Sequence, residues 1–435
     1  MLRAPRTADL IRLVLAMIVG VAPVKVAAQG ERPASAKPAD VPMLLRTASE
    51  ALDRKDLAGA VKALTAVLEV EPEMPEAWFN LAYAYTGLNQ DEEAVKAYTK
   101  TLQLRPGLFE AHLNLGILLI EMNRPAEAAL HLEEAAQQKP EHVRARLYYG
   151  RALAATGQAE AAAKQFGEAL RLDPSLAIAH FDLGQLHLAR KDFTNALAAF
   201  EKAAALDPQL PQASLGAALA LEGLERPGEA VPLFEEYLAA KPDDLETRFH
   251  LARIYLEQEQ KEKALENLRT IYGANPQQPG VAAALGDVHA LLKQFGESEK
   301  YYREALRASP QGADLHRALG QTLLHLEKFA DAEGEFRTCL KLDPKNSDAF
   351  RGLATSLYLQ KRYAEAIPLL EAQAAAPNPP AAVFFVLATS YDHLRDRPKA
   401  LANYERFLLL SQNQNPDQEW QARQRAKLLR RELRK

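Results

Sequence analysis

Nine prolines constrain this chain more than any other feature. Pro72, Pro106, Pro140, Pro174, Pro208, Pro242, Pro276, Pro310 and Pro344 stand 34 residues apart without a slip. Proline has no backbone N–H and cannot continue a helix interior, so each one marks a break at the same phase of a repeating unit. A fixed period in this range is the mark of one supersecondary unit stacked along a line, each copy burying its apolar face against its neighbours. A stack of that kind offers a surface for holding other molecules.

Counting units from Val41 gives starts at 41, 75, 109, 143, 177, 211, 245, 279, 313, 347 and 381. Position 8 is then Gly or Ala in every unit, from Ala48 and Ala82 through Gly184 to Ala388. Position 20 is Ala throughout except for Ser298, and position 24 is always bulky: Leu64, Tyr98, Leu132, Phe166, Phe200, Phe234, Leu268, Tyr302, Phe336, Leu370 and Tyr404. In the fifth unit, Ala177–Ala189 and Phe193–Leu206 both carry apolar residues at helical spacing, with Asp192 placed as an N-cap between them. Pro125 and Pro227 fall where the second helix of their units begins, a position that tolerates the missing N–H. Small residues let two helices approach, and position 24 fills the space beside them. A bulky replacement at Gly184 or Ala196 is expected to overpack.

The pattern resembles the tetratricopeptide repeat family: a large residue at 4, Leu at 7, small residues at 8 and 20, an aromatic at 24 and Pro at 32. Trp78, Leu81, Ala82, Tyr85, Ala94, Tyr98 and Pro106 form the clearest example. The resemblance runs from Val41 to about residue 410. It implies an all-α solenoid of about eleven helix-turn-helix repeats wound into a right-handed superhelix.

Two departures stand out. Around 374–380 (AAAPNPP) Asn378 replaces the position-32 proline, so the tenth and eleventh units are expected to meet loosely or at a tilt. After SQNQNP, residues 417–435 read as one more helix, with sparse apolar residues (Trp420, Ala426, Leu428, Leu429) and a crowd of Arg and Lys. It reads as a wet-faced cap, which solenoids need at their ends, with a dock for an acidic partner or anionic lipid as the competing reading.

The first 28 residues are of another kind. Arg3, Arg6 and Arg12 precede an apolar run, Leu13 to Val24, and Val26-Ala27-Ala28 offers small residues before Gln29. This is the layout of a secretory signal peptide, and the run is short for a membrane span. Residues 29–40 read as a disordered spacer. The chain is therefore expected to be exported, periplasmic or secreted, with an uncleaved N-terminal anchor as the alternative. Alanine-rich repeats behind such a leader suit a bacterial source. No other segment could span a bilayer.

The formal charge is −4, and removing residues 1–28 takes away four positive charges and one negative. Neither form offers the basic field that nucleic acid needs. Cys339 is the single cysteine, so no intrachain disulfide forms. At position 27 it reads as buried and inert.

Residues three and four apart share a helix face, so positions 2, 5, 9 and 12 of each first helix fall together. In the family this face lines a concave groove that holds extended peptides. Position 5 carries Phe79, Leu113, Leu147, Phe181, Leu215 and Phe249, then Arg317 and Arg351; position 9 adds Tyr83, Ile117, Arg151, Gln185, Leu219 and Arg253. Exposed aromatics flanked by Arg are what binding surfaces use, while packing of Phe79 or Phe181 against the adjoining unit is the competing reading. Asn80 and Asn114 at position 6 match family members that grip a peptide backbone through an amide. The family's carboxylate clamp wants Lys at position 5, and Phe79 and Leu113 stand there instead, so recognition of chaperone tails is not expected.

Catalytic signals are sparse. His112, His180 and His316 at position 4 and His187 and His289 at position 11 read as packing residues. His180 and His187 are two turns apart, too far to share a metal. Glu133–Glu134 and Glu235–Glu236 read as solvated surface. No Gly-rich phosphate loop, nucleophile elbow or Cys/His metal spacing occurs. The expected function is a non-enzymatic adaptor gripping a protein segment, with no cofactor. A structural subunit of an envelope, polysaccharide-export or outer-membrane biogenesis assembly is one alternative. A non-catalytic partner of a glycosyltransferase-type enzyme is the other.

Overall fold

The 34-residue period resolves into pairs of helices in the computed structural model, which describes residues 41–412 and 414–434. The leader and spacer expected over residues 1–40 lie outside the described residues. Every regular element among the described residues is a helix. The chain divides into two compact units, one ending at Lys241 and the other beginning at Pro242.

In the first unit the order is α1 (Val41–Asp53), α2 (Leu57–Val70), α3 (Pro75–Gly87), α4 (Asp91–Leu104), α5 (Phe109–Glu121) and α6 (Pro125–Gln138). It continues with α7 (Val143–Ala155), α8 (Ala159–Leu172), α9 (Ala177–Ala189), α10 (Phe193–Leu206), α11 (Pro211–Gly223) and α12 (Pro227–Ala240). The second unit holds α13 (Leu245–Glu257), α14 (Lys261–Ala274), α15 (Val281–Leu291), α16 (Phe295–Ala308), α17 (Ala313–His325) and α18 (Phe329–Leu342). It ends with α19 (Ser347–Leu359), α20 (Tyr363–Ala374), α21 (Ala381–His393), α22 (Arg397–Ser411) and α23 (Pro416–Glu432).

Local chemistry explains where these helices start and stop. Asp56, Asp192 and Asp396 cap second helices by accepting from the backbone N–H three residues on. Pro125 and Pro227 occupy the first turn of theirs. Between the two helices of each pair the chain reverses at position 15, and that residue is left-handed every time. Lys55, Asn89, Asn123, Lys191, Glu225, Glu259, Lys293, Glu327, Lys361 and Arg395 have φ between 56° and 63°, and Gly157 has φ 80°. The reversal lets the next N–H reach back to the position-11 carbonyl, as from Gln90 to Tyr85 at 2.9 Å and from Arg124 to Leu119 at 2.8 Å. A non-glycine residue pays about 1–2 kcal/mol for this conformation. The recovered hydrogen bonds at the helix end offset it.

The core repeats with the same phase. The position-24 side chain lies under position 8 of its own pair and position 6 of the next. A Cβ built on Gly184 would stand 2.8 Å from Phe200 Cδ1, and one on Gly216 would stand 2.5 Å from Phe200 Cε1. Phe336 is held the same way by Gly320 and Gly352. Phe200 and Phe336 are buried almost completely, so one ring seals two consecutive pairs. Cys339 is buried and free, and burial pushes its thiol up.

Position 4 does more than fill space. Trp78 Nε1 donates to the Pro72 carbonyl at 2.8 Å, and Arg146 Nε donates to Pro140 at 3.0 Å. His112, His180 and His316 reach the carbonyls of Pro106, Pro174 and Pro310 through Nε2 at 2.7, 3.2 and 3.1 Å. These histidines were expected only to pack. They satisfy the acceptor of the proline that ends the preceding helix, which would otherwise have to be solvated in a tight loop.

Three local departures appear. In the eighth pair position 4 is Ala282, which cannot donate, and α15 starts late after Gly280 turns at φ 83°. At the AAAPNPP segment α20 is 12 residues long where other second helices have 14 or 15, yet α20 still packs on α21. The Tyr391 hydroxyl donates to Glu371 across that junction. The C-terminal α23 turns Glu419, Ala422, Ala426 and Leu429 toward α22, leaving Trp420 63% exposed. Two of its basic residues tie it down: Arg425 forks onto Asp392 of α21 at 2.5 and 2.8 Å, and Arg430 reaches Glu405 of α22 at 2.7 Å.

Candidate binding groove

Within each unit the first helices come closer together than the second helices do. In unit one α5 meets α7, α7 meets α9, and α9 meets α11; in unit two α15 meets α17, and α17 meets α19. No successive second helices approach as closely among the described residues. Helices on the inside of a curved stack crowd, so the inner surface of each unit is the first-helix side.

The position-5 residues do not form that surface. Phe79, Leu113, Leu147, Phe181 and Leu215 are all buried. Phe79 meets Tyr98 edge-on at 5.7 Å, and Phe181 meets Phe200 likewise at 5.7 Å. The reason is geometric: position 5 lies one turn before position 8 and faces the same position-24 ring. Four residues further, position 9 has rotated by about 40°, which is enough to clear the ring. Ile117, wedged deeper than its neighbours, is also buried. The expectation of an open apolar ladder at position 5 is therefore corrected for unit one.

The asparagine expectation is corrected too. Asn80 is buried. Asn114 is half-buried, and with Thr86 it flanks the hydroxyl of Tyr98, a phenol that burial pushes far above its ordinary range. Position 6 faces the preceding ring, as Gly216 does toward Phe200, so its side chain is committed to the joint between repeats.

The unit-one surface left open holds Tyr83, Gln185 and Leu219, all half-buried at position 9. Arg151 belongs to the same row but is mostly enclosed: its Nε donates to Asp182 at 2.5 Å, and its guanidinium lies 5.1 Å from the Tyr148 ring. Burial works against the charged guanidinium, but the Asp182 carboxylate outweighs it and holds Arg151 above its ordinary range. This pair ties α7 to α9 and cancels the charge there. At the end of α5, burial first and the Asp91 charge second lift Glu121 to about 7.

Unit two is more polar. Phe249 is half-buried beside Gly280, and Arg253 is exposed with Glu257 4.0 Å away. Arg317 and Arg351 are brought together, with Gln321, Leu324 and Thr355, around a cavity of about 230 Å³. Each is paired locally, Arg317 with Asp314 at 3.7 Å and Arg351 with Asp348. Gln321 and Thr355 are position-9 residues that sequence reasoning passed over, and the 34-residue period would have found them. Asp287, also at position 9, accepts from the Tyr302 hydroxyl at 2.6 Å, and burial pushes its carboxyl up. A wider cleft of about 620 Å³ opens on the second-helix side, lined by Leu265, Arg269 and Leu292 among others.

Among the described residues no cluster of three or more His, Cys, Asp or Glu is placed to hold a metal ion. No described helix is long and apolar enough to cross a membrane.

Models of the tetratricopeptide repeat match residues 45–108, 113–177, 150–211, 181–244 and 317–382, and related models of the same repeat match 222–288 and 281–311. A search of curated proteins finds no match. Among solved structures, the C-terminal part of a TPR repeat-containing protein from Cytophaga hutchinsonii is similar over 55% of this chain and 98% of its own, at 17% identity and TM-score 0.47. MamA from Desulfovibrio magneticus RS-1 is similar over 40% of this chain and 99% of its own, at 24% identity and TM-score 0.38. YrrB, described as a TPR protein with an unusual peptide-binding site, is similar over 43% and 97%, at 22% identity and TM-score 0.38.

Proposed function

The chain belongs to the tetratricopeptide repeat family, and from that premise we propose that it is a non-enzymatic adaptor whose first-helix face grips an extended protein segment. One observation carries the reading: after every hairpin has sealed its own core, the first-helix face of unit one still presents Tyr83, Gln185 and Leu219 in one row. A phenol, an amide and a leucine in line offer hydrogen bonds to a peptide backbone and a patch for an apolar side chain. Arg151 lies in the same row, and its pairing with Asp182 keeps that row near neutral, which suits an uncharged stretch of chain.

The test is a triple replacement, Tyr83→Ala, Gln185→Ala and Leu219→Ser, titrated against a library of unstructured peptides by fluorescence anisotropy. The wild-type chain is expected to select a subset, and the variant to lose that subset while keeping full helicity. Equal selection by both would remove the groove from the account. Replacing Phe79 or Phe181 is no test, because those rings are core and their loss would leave cavities.

The signal-like residues 1–28 support export, with a periplasmic or secreted mature chain. N-terminal sequencing of the protein from its own cells is expected to start near Gln29. An intact Met1 would favour the anchored alternative.

A further inference from the structure

We propose that His112 and His131 form a two-histidine clamp for a divalent transition-metal ion such as Zn²⁺ or Ni²⁺, joining α5 to α6. Their Nδ1 atoms stand 3.2 Å apart, with the ring centroids 5.3 Å apart and the planes tilted by 42°. Two imidazole nitrogens on a tetrahedral zinc, with arms of 2.0–2.1 Å, are separated by about 3.3 Å. The observed pair is already at that spacing.

The tautomer follows from the repeat itself. His112 Nε2 lies 2.7 Å from the Pro106 carbonyl. A carbonyl only accepts, so Nε2 carries the proton and Nδ1 presents a lone pair toward His131. Donation of the far ring N–H to a backbone carbonyl is also how metal-bound histidines are usually oriented. In the metal-free pair His131 Nδ1–H donates to His112 Nδ1; metal binding moves that proton to His131 Nε2, so that both Nδ1 lone pairs face the ion.

Comparison along the chain sets this pair apart. Position 4 meets position 23 in several repeats, and the partners are otherwise a donor with an acceptor. Arg146 donates to Gln165 at 2.9 Å, Arg248 to Asn267 at 3.3 Å, and His316 faces Glu335 at 2.6 Å. Only the third repeat places two imidazoles there. Glu127, one turn before His131, is held by Arg124 through both oxygens at 2.7 Å and does not enter the set. Water completes the coordination, so the ion exchanges readily. Nitrogen donors select zinc or nickel over magnesium or calcium.

The test uses the full untagged chain, titrated calorimetrically with ZnCl₂ near pH 7.5, beside His131→Gln. Glutamine keeps a donor for His112 Nδ1, so the hairpin retains its internal hydrogen bond. The wild type is expected to bind one more Zn²⁺ than the variant, or to bind it at least about tenfold more tightly. That difference should vanish near pH 5.5, where protons compete for the imidazoles, and MgCl₂ should produce no heat. Circular dichroism of both proteins confirms equal helicity. Identical Zn²⁺ isotherms for the two proteins, or no uptake by the wild type at millimolar Zn²⁺, would overturn the proposal.

Discussion

The indole Nε1 of Trp78 donates to the carbonyl of Pro72 at 2.8 Å. The period-setting proline and the large residue at position 4 are thus two ends of one hydrogen bond that closes this joint between pairs, as it does at Pro106, Pro140, Pro174, Pro242 and Pro310. Trp78→Phe keeps most of the apolar area and removes only the donor. It should cost about 1 kcal/mol, read as faster amide exchange at the start of α3. Repeat arrays often unfold in pieces, so exchange is a better readout here than a global melt. Unchanged protection in α3 would contradict the role assigned to this bond.

Gly184 and Phe200 set a second expectation. With a Cβ already only 2.8 Å from the ring, Gly184→Val should destabilise by about 1–3 kcal/mol through overpacking. Gly167, where an added Cβ would meet nothing within 4 Å, is the control. Gly167→Ala should be neutral or slightly stabilising, since alanine is the better helix former. Thermal melts of the two variants should move in opposite directions or differ by several degrees.

Arg151 and Asp182 have side chains only 12% and 14% exposed. Asp182→Ala leaves a buried guanidinium without its carboxylate, at a cost of about 3–5 kcal/mol. Replacing both residues by leucine should cost less than that single change. Urea unfolding across the double-mutant cycle measures the coupling, and strictly additive effects would show that the pair does not act as a unit.

Glu121 gives the fold a pH dependence of known sign. Its pKa is raised from 4.5 to about 7, first by burial and then by Asp91. Below 4.5 the carboxyl is protonated whether the chain is folded or not, and it contributes nothing. Between 4.5 and 7 the unfolded chain loses its proton more readily, so stability falls as pH rises and stays low above 7. Glu121→Gln should therefore raise the melting temperature at pH 8 and leave it nearly unchanged at pH 4. A variant equally stabilised at both values would place the effect elsewhere.

The sequence was legible to the extent that a feature recurred with the period. Proline at 32, small residues at 8 and 20 and the bulky column at 24 place the helix pairs, because each has one steric meaning. The split between core and surface on the first helix was not legible. Positions 5 and 9 share a face, and Phe79 and Tyr83 are both aromatic. Only the ring of Tyr98, 5.7 Å from Phe79, decides which of them is closed off. The left-handed turn at position 15 was hidden for another reason: Asn89, Asn123 and Gly157 suggest it, while Lys191 or Glu225 argue against it locally. The pairing of His112 with His131 needed the antiparallel register of α5 and α6, which residue spacing alone does not supply.

Photo-crosslinking in the protein's own cells tests the central claim most directly. A benzophenone side chain is placed singly at Tyr83, Gln185 or Leu219 on the inner row, or at Leu130, Glu134 or Glu201 on exposed second-helix surface. The account predicts that inner positions trap one common polypeptide along a single stretch of its chain, and that outer positions trap little. Labelling of that polypeptide from the outer positions alone would contradict it.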